Sequence, residues 1–235
     1  MRQVYGQLQS LYALCIAPHP DDAEIGAGGT LIRLAEADKA VGILELSLGE
    51  MGTLGTPEER LQEAKNAAEI MGLAWRGNLE FPDGGIRAER DQVLKLARVL
   101  RQVRPEVLFI PHPLDRHPDH VGSHQLCKEA VHVAGLRKAD LKESPHKVRR
   151  VLLYQGNFPM EASVLVDTSN VQEKWEKCVM AHTSQFTGPA ISETVSPEVV
   201  DRRRARNMYW GTFAGVKYAE AFASETPLLL DPTTL

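Results

Sequence analysis

Short apolar runs alternate with helix-like segments through the first half of the chain, and this alternation constrains the fold more than any other feature. Residues 11–17 are predicted to form a buried strand, because the apolar run stops at Pro18. A helix is predicted over 28–38 and a second strand over 41–48. Such alternation is typical of βαβ units around a parallel sheet. The sequence therefore predicts an α/β fold with a mostly parallel sheet flanked by helices.

Further elements follow at similar spacing. A helix over 57–71 is indicated by Pro57 in the first turn, by the capping pair Thr56 and Glu59, and by Gly72 at its end. The remaining predicted strands cover 75–81, 107–110, 148–155 and 162–166, and the remaining helices cover 89–103, 119–134, 170–180 and 197–209. No repeat or low-complexity linker interrupts the pattern, so we expect one domain over residues 1–235.

Composition narrows the class of protein. The 235 residues carry a formal net charge of −4, which argues against a nucleic-acid partner, because such a partner needs a basic face. The three cysteines lack CxxC spacing, so a disulfide framework is not expected and free thiols suit a reducing cytosol. No apolar run approaches the roughly 20 residues of a membrane span. We expect a cytoplasmic protein that does not insert into a membrane.

Two clusters of histidine and aspartate follow predicted buried strands. One covers residues 17–24 and the other 112–124, and each contains a His-Pro-Asp tripeptide. Ligands of open α/β sheets bind beyond the carboxyl ends of the strands, so the two clusters could meet in space. Imidazole and carboxylate groups suit zinc, whose catalytic sites keep three protein ligands and one open position. The alternative, that one cluster caps a helix and the other is a solvated loop, explains the paired tripeptides less well.

The glycines of residues 26–29 suggest a second kind of site. A dinucleotide-binding fingerprint needs G-x-G-x-x-G, but Leu31 occupies the place of the last glycine. The glycines also come after the acidic cluster instead of directly after the strand. We therefore interpret them as close packing at the start of a helix.

At these residues the chain resembles the PIG-L/LmbE-like superfamily of zinc-dependent N-acetylglucosaminyl deacetylases. The signature A-H-P-D-D-x-E is matched by residues 17–24, with Pro18 inserted, and H-P-D-H is matched by residues 117–120. The resemblance continues through residues 49–53 and 60–64. Residues 184–186 and 215–222 look like the branch of the family that serves bacillithiol biosynthesis.

The resemblance implies a Rossmann-like three-layer fold and homo-oligomers, often hexamers. It also implies a role for each site residue: His19, Asp22 and His120 as zinc ligands, Asp21 as general base, His117 as the group that polarises the carbonyl, Asp119 as the residue that orients His117, and Arg60 as a substrate contact. The ligand types would also accept Fe²⁺. In the family that the chain resembles, the mycothiol-pathway deacetylase carries a tyrosine two residues before the first histidine of H-P-D-H. This chain has Asp115 there, so no role of that tyrosine is transferred.

The implied reaction is hydrolysis of the N-acetyl group of a small amino-sugar substrate, with N-acetylglucosaminyl malate as the first candidate. A malate carboxylate would need a cation, and the candidates are Arg60, Arg87, Arg116 and Lys217. Another N-acetyl amino sugar is the main alternative. Two histidines and one carboxylate also form the facial triad of non-haem iron oxygenases, and the α/β pattern alone would suit a nucleotide-binding module.

Overall fold

The computed structural model describes residues 1–187 and 194–229. The strands in this part of the chain are β1 (Arg2–Gly6), β2 (Ala13–Ala17), β3 (Val41–Glu45), β4 (Trp75–Asn78), β5 (Val107–Pro111), β6 (Arg150–Tyr154), β7 (Val164–Asp167) and β8 (Ala219–Ala223). The helices are α1 (Asp22–Glu36), α2 (Pro57–Met71), α3 (Arg90–Val103), α4 (Pro118–Gly135), α5 (Gln172–Met180), α6 (Thr183–Phe186) and α7 (Val199–Ala214).

The eight described strands form one sheet in the order β1-β4-β3-β2-β5-β6-β8-β7. The five central strands from β4 to β6 are parallel, whereas β1, β7 and β8 pair antiparallel at the two edges. The predicted mostly parallel α/β sheet is therefore confirmed. The sequence analysis did not find β1 or β8. The half-exposed β1 and the alanine-rich β8 lack the continuous apolar run that identifies a buried strand.

Helices cover both faces of the sheet, which gives three layers. Within β2, Cys15 and Ala17 belong to the core that α1, α2, α5 and α7 cover. Leu14 and Ile16 alternate with them and belong to the opposite core, under α3 and α4. All five residues of β2 are buried, because side chains that alternate along this strand meet a helical layer on either face.

The direction of chain travel reverses at β2. From β2 the chain runs outward through β3 to β4, and then returns to β5 on the other side of β2. Crossover connections therefore leave β2 and β5 toward opposite faces, and a crevice opens between their carboxyl ends. His19 follows β2 and His117 follows β5, so the two His/Asp clusters flank this crevice.

Close helix packing accounts for the glycine run, as the sequence predicted. A Cβ atom on Gly26 would lie 2.3 Å from the ring of Tyr154, and one on Gly28 would lie 2.9 Å from Trp175. The helix begins at Asp22, six residues before the predicted start, and includes all these glycines. Glycine has a low intrinsic helix propensity, but here burial against β6 and α5 outweighs it.

The capping box predicted for α2 is confirmed. Thr56 Oγ1 accepts a hydrogen bond from the Glu59 backbone N–H at 3.2 Å, and Glu59 Oε2 accepts one from the Thr56 N–H at 2.7 Å. Gly72 ends the helix in the left-handed conformation. In contrast to β1 and β8, this helix was predictable to the residue because its signals are local.

Within residues 1–187 and 194–229, no helix has the combination of length and hydropathy that crossing a bilayer requires.

We expect Gly26→Ala to destabilise the protein by about 1–3 kcal/mol, the usual cost of overpacking a core. The Tyr154 ring cannot move away easily, because it is buried and its hydroxyl donates to Ile16 O at 3.0 Å. Gly135→Ala is the matched control in a helix, since its new Cβ would have 3.9 Å to the nearest atom. Urea unfolding measures both. Equal midpoints for the two variants would contradict the packing role of Gly26.

Candidate metal centre

Three of the predicted residues converge at the crevice between β2 and β5. His19 lies in the loop after β2, Asp22 begins α1, and His120 lies in the first turn of α4. Asp22 Oδ2 is 3.2 Å from His19 Nδ1 and 3.3 Å from His120 Nε2. One donor atom from each residue lies within 4.8 Å of the others. Two imidazoles and a carboxylate at this spacing fit a divalent cation such as zinc.

The electrostatic field of the cluster favours positive charge. Burial lowers the pKa of His120, but the carboxylates of Asp22 and Asp115 outweigh burial and raise it to about 10. Burial also opposes protonation of His19, yet hydrogen bonds to Asp119, Asp22 and Asp83 raise its pKa well above the usual value. Burial raises the pKa of Asp22, but the two histidines hold it well below the normal range. The carboxylates that stabilise imidazolium ions here would equally stabilise a bound cation.

Asp21 lies beside these three residues and is held in a strained conformation. Its φ of 105° is in a region that residues other than glycine rarely adopt, at a cost of about 1–3 kcal/mol. Burial, followed by the negative charge of Asp22, raises the pKa of Asp21 to about 6, against the opposing effect of Arg60. A carboxyl group with a pKa raised toward neutrality is typical of a general base.

Arg60 is only 4% exposed, and its guanidinium connects three neighbouring groups. NH1 donates to Gly49 O at 2.9 Å, and NH2 donates to Pro20 O at 2.8 Å and approaches Asp21 Oδ2 at 3.5 Å. The structure thus places Arg60 against the cleft, with its terminal nitrogens engaged by the protein itself. Its position suits holding Asp21 and the loop after β3.

His117 caps α4 with its imidazole ring. Nδ1 accepts the backbone N–H of Asp119 at 3.2 Å, so the proton of the neutral ring is on Nε2. Burial and the nearby His19 and His120 lower the pKa of His117, which favours this neutral form. Its ring lies 4.9 Å from the ring of His19 and 5.0 Å from that of His120, between centroids.

The carboxylate of Asp119 has other partners than the expected one. It accepts hydrogen bonds from the Gly84 N–H at 2.7 Å, the Ile86 N–H at 3.2 Å and His19 Nε2 at 3.2 Å. Asp119 therefore contacts His117 through its backbone amide, and its side chain supports His19 instead. The family resemblance implied the pairing with His117, but the loop after β4 provides the amides that hold the carboxylate.

Sequence reasoning missed two carboxylates of the site. Asp83 Oδ1 is 3.2 Å from His19 Nε2, and Asp115 Oδ2 is 3.2 Å from His120 Nδ1. The sequence analysis gave Asp83 no role, and it placed Asp115 in the second cluster without a role in the site. Each follows a central parallel strand, β4 or β5, and that position at the sheet edge was the available signal.

Glu24, the last residue of the first signature, lies in a buried charged network behind the site. Its Oε1 accepts hydrogen bonds from Arg76 NH1 at 2.6 Å and His182 Nε2 at 3.0 Å. Arg76 also pairs with Glu45, and all four side chains are fully buried. Burial raises the pKa of Glu24, but Arg76 and His182 outweigh it and lower the pKa to about 2. Glu24 therefore fastens α1, which carries Asp22, to β3 and β4.

The cluster lies in a cleft of about 400 Å³. Arg60, Asp83, His117, Asn157 and Arg203 are among its lining residues. Arg203, from α7, is a cation that the sequence analysis did not single out. Of the other candidate cations, Arg87 donates to Ile86 O and Gly84 O, and Lys217 lies over the ring of Tyr218.

Fold and site together define an α/β protein with a candidate His₂Asp metal centre at the switch point of its sheet. The family model described as PIG-L, GlcNAc-PI de-N-acetylase, matches residues 14–131. The chain belongs to this family.

Three similar proteins illustrate the range of relatives. Diacetylchitobiose deacetylase of Thermococcus kodakarensis is 34% identical over 222 residues, which cover 88% of this chain and 80% of the relative. The 4-oxalmesaconate hydratase of Pseudomonas putida is 32% identical over 234 residues, which cover 92% of this chain and 89% of the relative. The crystal structure of the conserved protein TT1542 from Thermus thermophilus has a TM-score of 0.89 and 49% identity, with 94% and 98% of the two chains covered.

We expect His120→Ala to lose bound zinc, because one of three ligands is removed. His124→Ala is the control, since His124 lies one turn further along α4, is also buried, and has Nδ1 within hydrogen-bonding distance of Pro111 O. Metal analysis after dialysis gives the zinc content of each variant. Full occupancy in His120→Ala would refute its role as a ligand.

Proposed function

We propose that the protein is a metal-dependent deacetylase that hydrolyses the N-acetyl group of an N-acetylglucosamine conjugate. The observation that carries this proposal is the convergence of His19, Asp22 and His120, with the carboxylate of Asp21 left beside them. Zn²⁺ is the proposed cation, and Fe²⁺ is compatible with the same ligands. The family assignment does not favour an oxygenase.

A divalent cation at this site would lower the pKa of a coordinated water to about 7 and polarise the amide carbonyl. Asp21 accepts the proton of the attacking water, because its raised pKa makes it a competent base near neutral pH. Arg60 holds Asp21 in place and limits how far its pKa rises. Together, the cation and Asp21 would activate the water that attacks the amide.

His117 stabilises the oxyanion that develops on the carbonyl. Its Nε2–H is the available donor, since Nδ1 is engaged by the Asp119 backbone. In comparable enzymes, loss of one hydrogen-bond donor to the oxyanion raises the activation free energy by on the order of 3 kcal/mol. Asp21, protonated by the attacking water, then delivers that proton to the departing amine; His117 is the alternative donor only if it is first protonated to an imidazolium.

The first candidate substrate is N-acetylglucosaminyl malate, from bacillithiol biosynthesis, because the positive charges of Arg60 and Arg203, which line the cleft, would attract its anionic substituent. Other N-acetyl amino sugars, including diacetylchitobiose, are the alternative substrates within the same reaction. We further propose cytoplasmic localisation and assembly into homo-oligomers, hexamers among them.

The second candidate function is water addition to an unsaturated carboxylate. The observation that favours it is the 32% identity with a hydratase of which this chain covers 89%. A metal site, a carboxylate base and cationic groups in the cleft would also serve that reaction. Deacetylation is preferred because the family model and the Thermococcus relative agree on it.

Acetate release from a substrate panel tests the proposal. The panel contains N-acetylglucosaminyl malate, diacetylchitobiose and the neutral methyl glycoside of N-acetylglucosamine, each with the zinc-loaded protein. We expect acetate from at least one, and faster release from the malate conjugate. Loss of absorbance from a conjugated unsaturated dicarboxylate, with no acetate from any sugar, would overturn deacetylation in favour of hydration.

We expect Asp21→Asn to keep the metal and to lower kcat by about 10²–10⁴-fold, the typical effect of losing a general base. Asp38→Asn is the matched control, because Asp38 also has a positive φ but is exposed at the far end of α1. Stopped-time acetate assays and metal analysis of the same samples measure both quantities. Near-normal turnover in Asp21→Asn would exclude Asp21 as the base.

A further inference from the structure

The carboxylate of Asp115 is one of the most fully hydrogen-bonded groups near the cleft. Its side chain is 1% exposed. Oδ1 accepts the His117 backbone N–H at 2.8 Å and the Asn157 side-chain amide at 2.9 Å. Oδ2 accepts the Asn157 backbone N–H at 2.8 Å and lies 3.2 Å from His120 Nδ1. No acceptor capacity is left over for a substrate hydroxyl without breaking one of these bonds.

This arrangement fixes the tautomer of His120. With Nδ1–H donated to Asp115, the lone pair of a neutral ring is on Nε2, which faces Asp22 at 3.3 Å. The same bond prevents rotation of the ring about its side-chain torsion. A carboxylate behind an imidazole also makes the ring a stronger electron donor to a cation.

Asn157 lies in a different segment of the chain from the residues that it holds. It belongs to the loop after β6, whereas Asp115 and His120 follow β5. Its own side-chain oxygen accepts a hydrogen bond from Arg203 NH2 at 3.4 Å, and Arg203 NH1 donates to Gly156 O at 3.0 Å. The geometry of His120 therefore depends on three separate parts of the chain.

Gly156 shows how closely this loop approaches the site. A Cβ atom there would lie 2.1 Å from Asp115 Oδ2 and 3.3 Å from His120 Nδ1. The first distance is far below van der Waals contact, so any side chain would displace the carboxylate. Only glycine permits the backbone of the β6 loop to bring Asn157 onto Asp115.

We propose that Asp115, clamped by Asn157, is a positioning residue that aims His120 Nε2 at the cation and thereby sets metal affinity. The role of Asp115 rests on the proposed metal site, because a cation is what His120 would bind.

The test compares the zinc affinity of wild type, Asp115→Asn, Asn157→Ala and a surface control, Asp167→Asn. Asp167 is a partly exposed aspartate that accepts the Ser169 N–H, well away from the clamp in the fold. Competition with a chromophoric chelator gives the Kd for Zn²⁺ without any substrate. We expect a 10–100-fold weaker Kd in Asp115→Asn, the usual effect of losing such a carboxylate, a smaller loss in Asn157→Ala, and none in the control.

A second measurement separates positioning from general damage. At saturating Zn²⁺, we expect Asp115→Asn to have the KM of wild type and a kcat that approaches the wild-type value. We also expect the urea midpoint of the metal-free protein to change little. If Asp115→Asn does not fold, the Kd of Asn157→Ala for Zn²⁺ tests the proposal, because that variant leaves the carboxylate in place. Wild-type Kd values in both variants would overturn the proposal.

The outcomes also distinguish this inference from the proposed function. Failure of wild type to bind zinc would remove the metal site and with it the deacetylase mechanism. Tight zinc binding by wild type together with an unchanged Kd in both variants would leave the mechanism intact and refute only the role of Asp115. A raised KM at saturating zinc would assign Asp115 to the substrate and would likewise refute it.

Discussion

The parallel register of β2 between β3 and β5 is the constraint on which the rest of the structure depends. Ala13 pairs with Val41 on one side and with Val107 on the other, so the first residues of the three strands are in register. Their carboxyl ends therefore reach the same edge, and the chain reverses its direction of travel there. The segments that follow β2, β4, β5 and β6 reach this edge and supply the candidate metal ligands, their carboxylate partners and the Gly156–Asn157 segment.

The site concentrates buried carboxylates beside imidazole rings. Asp22, Asp115 and Asp119 are carboxylates with little or no exposed side chain, and each contacts a histidine. Burial of carboxylates is unfavourable unless cations or hydrogen bonds compensate it. His19 and His120 compensate part of this charge, because the carboxylates around them raise the pKa of both imidazoles. A divalent cation would take over this role and leave the imidazoles neutral, which is the form in which they bind metals.

A metal centre of this kind does not by itself specify one reaction. A water-activating cation and a carboxylate base suit amide hydrolysis, and the deacetylase and hydratase among the similar proteins show that related chains carry out distinct reactions. Other side chains that line the cleft, such as Arg203, come from loops and from α7. Function therefore follows from these side chains as well as from the shared fold.

The sequence alone determined the α/β class, the capping box of α2 and the two clusters that meet at the candidate metal centre, because apolar runs, caps and short motifs are local signals. Only the tertiary structure decided that α1 begins at Asp22, that Asp119 supports His19, and that Asp83 and Asp115 join the site. These features arise from contacts between segments far apart in the chain. No local sequence pattern predicts which carboxylate will face which imidazole, because the relative positions of separate backbone segments determine that pairing.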